Sequence, residues 1–310
     1  MKKQLLILLS ALFVTSCANQ TQKISIIAPE GTPSLALANF YTNEKELYSE
    51  FSIKGGSDPL VAAFTSNEYD VIVAPTNLGA KFYNSTKNYI LYQTIVWGNL
   101  YLASKQEINS FADVENKTIT YFGGNSATPY IVLKSLIDSY KLENVTLTNV
   151  DDVATANSML MSNKADIIVS AQPSLTKIIN TSASKNITIH TLDLQSEWQK
   201  LTGTSSYPQA SIFFKKELKG KIDKTLQKLT DSVKDTIKDP ATSAKNAVSM
   251  YEAFKNLGED VLTSAIPNAH YGIDENQKSA IEFYFNKMNE LGLSNLYGEQ
   301  LPDEEFYYNI

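Results

Sequence analysis

Short apolar runs closed by Gly or Pro, each followed by helical spacing, recur along most of this chain. Residues 24–28 form the first run, bounded by Pro29 and Gly31. The loop 29–33 then opens an Ala-rich helix over 34–40, with Thr32 as expected N-cap and Pro33 at the first helical position. Asp58 and Pro59 repeat that grammar ahead of Leu60. Residues 70–74 read as a strand buried on both faces, as parallel strands are, ending at Pro75-Thr76-Asn77 before a helix over 78–83. The run 90–104 is aromatic and β-branched, broken by Gly98, and too long for one typical strand. It suits a segment leaving one sheet and entering another. Further strands are expected at 117–122, 145–150, 166–170 and 187–192, with helices at 130–140 and 152–161. After a polar stretch at 203–209, residues 210–214 read as a return strand. From Lys216 the chain turns helical and charged, with helices at 218–238, 243–256 and 276–291. Ile222, Leu226, Leu229 and Val233 recur at helical spacing, as a core-covering helix requires.

Part of this pattern occurs twice. Ser66-Asn67-Glu68-Tyr69-Asp70-Val71-Ile72-Val73 returns as Ser162-Asn163-Lys164-Ala165-Asp166-Ile167-Ile168-Val169, and Thr32-Pro33 returns at the same offset as Thr128-Pro129. Generic strand–loop–helix punctuation is one explanation. Two similar α/β lobes facing each other are the sharper one.

Composition narrows the function classes. The 310 residues leave room for two domains, and 43% hydrophobic content fits a well-cored protein. The formal charge is −6 and no basic cluster occurs, which excludes a nucleic-acid footprint. All 27 basic residues are Lys, so the planar fork that grips carboxylate, sulfonate or phosphate bidentately is absent.

The N-terminus carries Lys2-Lys3 and then an apolar stretch over 5–14, too short to span a bilayer and suited to an export signal. Val14-Thr15-Ser16-Cys17 follows, and this resembles the lipobox of bacterial lipoproteins. The resemblance implies cleavage before Cys17 and its acylation, with several chains giving a stable anchor. A plain secretory signal is the alternative. Cys17 is the only cysteine, so no intramolecular disulfide can form.

Ligands of open α/β sheets collect where strands end and helices begin, because helix N-termini offer unpaired N–H groups there. Four such ends are readable: Gly31-Thr32-Pro33, Thr76-Asn77, Gly124-Asn125-Ser126 with Thr128, and Gln172 before Pro173. Two fall in each half, and together they would enclose a pocket of hydroxyl, amide and backbone N–H groups. Trp97-Gly98-Asn99 at the lobe junction and Tyr207 before the return strand could supply walls for a flat ligand. Core packing is the rival reading for Trp97 and Tyr101.

The export signal with Cys17, the segment Ile26-Ile27-Ala28-Pro29-Glu30-Gly31-Thr32-Pro33-Ser34, and Asp70-Val71-Ile72-Val73-Ala74-Pro75-Thr76-Asn77 resemble substrate-binding lipoproteins of ABC importers. Trp97-Gly98-Asn99-Leu100-Tyr101 and Leu301-Pro302-Asp303-Glu304-Glu305-Phe306-Tyr307-Tyr308 extend the likeness. The nearest group is the nitrate, sulfonate, taurine and thiamine-precursor binding (NitT/TauT, SsuA-like) family. The resemblance implies an α/β, two-lobed type 2 periplasmic-binding-protein fold with two crossover hinge segments. It implies a division into a signal peptide (1–16), a lipidated tether (17–22), lobe one (23–101 with 211–310) and lobe two (102–210). It also implies a monomeric, non-enzymatic solute receptor, lipid-anchored on the extracytoplasmic face, that delivers a small organic molecule to a permease and its ATPase. No cofactor is implied. Members that hold anions with Arg differ from this chain, so a neutral, aromatic or vitamin-like solute is favoured over nitrate or a simple sulfonate.

Other chemistries find little support. His190 and His270 are the only histidines, and the acidic Asp303-Glu304-Glu305 reads as a solvated tail. No nucleophile elbow, P-loop or dinucleotide fingerprint occurs. Two alternatives stand beside solute capture: a sensory or interaction lipoprotein on the same scaffold, and a relative of pyrimidine- or menaquinone-pathway enzymes.

Overall fold

The structure is a computed structural model that describes residues 22–308 apart from 126, 204, 205 and 275. The expected signal peptide and the acylated Cys17 lie outside the described residues.

Ten strands form two five-stranded sheets. They are β1 (Ile24–Pro29), β2 (Tyr48–Lys54), β3 (Val71–Pro75), β4 (Tyr89–Val96), β5 (Tyr101–Ser104), β6 (Thr118–Phe122), β7 (Thr146–Val150), β8 (Ile167–Ser170), β9 (His190–Asp193) and β10 (Ala210–Lys215). The first sheet runs β2-β1-β3-β10-β4 and the second β7-β6-β8-β5-β9. In each, three parallel strands are followed by one antiparallel to its neighbours: β10 against β3 and β4, β5 against β8 and β9. The duplicated segments become β3 and β8, which hold the third position of their sheets. Val71, Ile72, Val73 and Ala74 are buried, as are all four residues of β8, as a two-sided apolar run demands.

The long run after Tyr89 divides as its length requires. Ile90 and Leu91 pair with Phe214 and Phe213 in the first sheet, while Tyr101 pairs with Ser170 and Asp193 in the second. Tyr101 and Ala210 each stand one residue across the expected boundary, because Ala210 pairs with Pro75 in the first sheet. Hydrogen-bond register sets that boundary, and composition does not report it.

Thr32 is not an N-cap. Gly31 takes that place at φ +101°, without a side-chain cap bond, and Thr32 opens the helix Thr32–Leu35. Ser57 rather than Asp58 precedes the helix Asp58–Ser66. The C-terminal helix Asp223–Lys238 buries Leu226, Leu229 and Val233, as their spacing predicts.

The acidic tail is the clearest correction. Phe306, Tyr307 and Tyr308 are buried, and Tyr307 bridges to Leu91 on the open side of β4. Lys87 reaches Asp303 at 2.7 Å, Lys216 reaches Glu305 at 2.6 Å, and Lys278 pairs with Glu304. The three carboxylates are solvated as read, but the rings that follow them are buried, so the segment is a docked apolar strap and not a free tail. Hydrogen bonds from the Lys87 ammonium and the Tyr83 hydroxyl hold the Asp303 carboxyl below the usual carboxylate range. Its contribution is therefore full above the unfolded value near ~3.9 and lost as pH falls through the lowered folded value. Amide exchange at Tyr308, corrected for intrinsic rates, should be faster at pH 2.5 than at pH 6. Equal protection at both would exclude a role for this pair.

Candidate functional site

Two side chains, Thr32 and Asn99, meet the backbone of Gln172 between the sheets, while the Gln172 side chain accepts from Thr176 instead. Asn99 follows Gly98 in the first crossover, with both residues at positive φ (+77° and +131°). This reversal turns the Asn99 amide back across the boundary. Its Nδ2 donates to Thr32 Oγ1 at 2.5 Å and to the Gln172 carbonyl at 3.2 Å, while its Oδ1 accepts from the Gln172 N–H at 2.8 Å. Thr32 Oγ1 donates to the same carbonyl at 2.7 Å. All three residues are at least nine-tenths buried, with exposures of 3% (Thr32), 1% (Asn99) and 7% (Gln172). The Thr32 hydroxyl, unused as a cap, joins the end of β1 to the end of β8. Tyr271 donates to the Thr32 carbonyl at 2.9 Å from the far side, and Gly31 and Pro33 flank this seat within the same loop.

A second set of contacts lies beside it. Tyr101 donates to the Asn268 carbonyl at 2.6 Å, and His270 Nε2 lies 3.0 Å from the Tyr101 hydroxyl and 3.5 Å from Asp193 Oδ2. Burial works against ionisation of the Asp193 carboxyl, but His270, the Gln195 N–H and Ser196 outweigh it and hold its pKa below the ordinary value. Burial pushes the Tyr101 phenol well up, and the Asp193 charge adds to this. Tyr207 and Tyr271 are raised by burial in the same way. These phenols stay neutral at physiological pH, so they act as hydrogen-bonding groups and not as anions. Tyr207 is fully buried, donates to Gln195 Oε1 at 2.6 Å and packs edge-on against Trp198. Trp97 donates from Nε1 to the Gly272 carbonyl at 3.2 Å.

The remaining expected residues are not drawn into this group. Thr76 shares its hydroxyl with Ser211 at 2.8 Å, inside the first sheet's own polar chain to Thr94. Asn77 donates to the Leu296 carbonyl at 3.3 Å. The Gly124 N–H bonds to Asn149, and Asn125 accepts from Tyr121 beside a hollow of about 320 Å³ lined also by Tyr130, Lys134 and Leu147. Thr128 is buried at the first turn of the helix Thr128–Tyr140, and Ser126 lies outside the described residues. Sequence reasoning missed Gln195, Asp193 and Tyr271 and gave His270 no role. No local signal marks them, since their partners lie up to 239 positions away.

Among the described residues no group of three or more His, Cys, Asp or Glu could hold a metal ion, and no helix is long and apolar enough to cross a membrane.

Residues 89–243 match the family described as NMT1/THI5 like. Among solved structures, an ABC transporter from Parabacteroides distasonis is 17% identical with a TM-score of 0.74, over 92% of this chain and 98% of that one. The alkanesulfonate-binding protein SsuA from Xanthomonas axonopodis pv. citri, bound to MOPS, is 12% identical with a TM-score of 0.65, over 92% and 98%. The ligand-binding component of an ABC-type import system from Staphylococcus aureus, with zinc bound, is 14% identical with a TM-score of 0.64, over the same shares. These likenesses establish the type 2 periplasmic-binding fold. No curated protein matches the chain.

Proposed function

The chain belongs to the NMT1/THI5-like family, and on that footing we propose that it is the extracytoplasmic solute-binding lipoprotein of an ABC importer. It captures a small organic molecule between its lobes, leaves it chemically unchanged and hands it to a permease powered by an ATPase. Acylated Cys17 tethers it to the membrane. The observation that carries this reading is the meeting of Thr32, Asn99 and Gln172 from both sheets and a crossover, at the strand ends where this architecture gathers ligands. The type 2 folds of binding proteins named for sulfonate and import ligands support it.

The chemistry of the seat favours a neutral, planar solute with hydrogen-bonding edges over a sulfonate. Its donors and acceptors are amides, hydroxyls and neutral phenols, Asp193 beside it is anionic, and the chain has no guanidinium to offset a bound anion. A thermal-shift panel of pyrimidine vitamins, flavins, sulfonates and amino acids tests this directly. A ligand at a hundredfold excess over its Kd should stabilise the protein by about 2.7 kcal/mol, and the neutral heterocycles should outrank the sulfonates. A panel that leaves the melting curve untouched throughout would refute the capture reading. Sulfonates ranking first would refute the neutral-solute reading alone.

A further inference from the structure

Gln195 is 4% exposed and touches both crossovers at once. It sits in the helix Leu194–Thr202, which follows β9 in the second sheet's half. Its Oε1 accepts from the Leu100 N–H at 2.8 Å and from the Tyr207 hydroxyl at 2.6 Å. Its Nε2 donates to Asp193 Oδ1 at 2.5 Å, and the same oxygen caps the helix through the Gln195 N–H at 2.8 Å. The Leu194 N–H adds a bond to the Leu100 carbonyl at 3.1 Å. Leu100 and Tyr207, one from each crossover, are therefore fastened to the second lobe.

The neighbouring residues are fastened to the first. Trp97 donates its N–H to the His270 carbonyl at 2.8 Å, and Gln209 bonds through its N–H to the Val96 carbonyl at 2.9 Å. Between the two sets of ties only Gly98-Asn99 remain in one crossover and Pro208 in the other. Gly98 has no room for a side chain, since a Cβ there would lie 2.0 Å from Gln195 Cγ, and its φ of +131° suits glycine alone. Pro208 has a fixed φ and can turn only about ψ. Buried polar atoms cluster at this second crossing: among the described residues, Ser206 Oγ and Gln209 Oε1 find no hydrogen-bond partner.

We infer that Gln195 is a positioning residue that pins both crossovers to the second lobe, so that lobe rotation is confined to Gly98-Asn99 and Pro208. Glycine supplies the freedom and proline limits it, which makes the movement a single defined swing. The pin also fixes where Asn99 points, and so it holds the seat in register. This deepens the capture reading and rests on its two-lobed motion.

The test reads distances in the full-length protein without added solute. Spin labels are carried by a non-canonical amino acid at Val61 and Lys185, exposed positions on the first and second lobes. Gln195→Met keeps the volume and removes the shared acceptor. It should at least double the width of the interlobe distance distribution, and Pro208→Gly should widen it similarly. Leu160→Ala, buried in the second lobe's own core away from both crossovers, should lower the melting temperature and leave the width unchanged. A Gln195→Met protein that melts earlier with an unaltered distribution would reduce Gln195 to a packing residue and overturn the inference. So would a Pro208→Gly distribution identical to wild type, even if Gln195→Met fails to fold. A thermal panel without hits bears only on capture, because these distances need no ligand.

Discussion

Removing residues 302–310 should unfold the first lobe. Phe306 packs 5.0 Å from the Tyr83 ring and 6.1 Å from Phe213, Tyr308 lies 5.1 Å from Phe214, and its N–H closes on the Leu91 carbonyl at 2.9 Å. Each fully buried large apolar side chain contributes about 1.5–3 kcal/mol, so three of them supply about 5–9 kcal/mol. Whole domains are stable by only about 5–15 kcal/mol. The cut also exposes the side of β4 on which Tyr307 bridges to Leu91. Phe306→Ala alone should cost about 3–5 kcal/mol. Urea unfolding followed by circular dichroism reads both, and a truncated chain whose midpoint matches the full chain would show the strap to be dispensable.

Asn99→Leu should leave a folded but less stable chain and sharply weaken capture. The Asn99 side chain is spent on Thr32 and Gln172 and not on either lobe's apolar core. Leucine leaves the buried Gln172 N–H without its acceptor, at about 1–3 kcal/mol. It also places a branched side chain at φ +77°, costing about 1–3 kcal/mol more. Those costs fall on the free protein as well; affinity is lost because the amide itself is gone. With two of its hydrogen bonds at about 1.4 kcal/mol, or tenfold, each, the solute found by the thermal panel should bind about a hundredfold more weakly. Asn99→Gly separates the causes: it relieves the backbone and still removes the amide. Calorimetry measures the affinity, and undiminished binding by Asn99→Leu would remove Asn99 from the site.

Local pattern made the sheets legible and left the seat only half so. The runs that became β3 and β8 are apolar on both faces, and the split at Gly98 follows from a run too long for one strand. By contrast, β2 passed unseen because it is an edge strand with Ser49 and Glu50 both exposed and a register shift opposite Ile24. Its alternation is too weak to read. Thr32 read as a cap because Thr-Pro ahead of a helix commonly is one. Its hydroxyl instead answers a carbonyl 140 positions away, and no local rule contains that partner. The tail misled for a similar reason: its charges are exposed as read, but the rings after them dock on partners such as Tyr83 and Phe213 that lie far off in sequence. Gln195 is the extreme case. One of two glutamines in a polar helix, it carries no sign that two linkers converge on it.

The return of β10 to the first sheet bears on how the chain matures. All five strands of the second sheet fall between Tyr101 and Asp193, whereas the first sheet stays unfinished until β10 slots between β3 and β4. During vectorial emergence the half made later can therefore condense first, while the earlier half waits with β4 unpaired and one edge of β3 open. A polypeptide leaving a ribosome or a translocation channel would thus be vulnerable to proteases and to self-association until β10 and then the strap through Tyr308 have emerged.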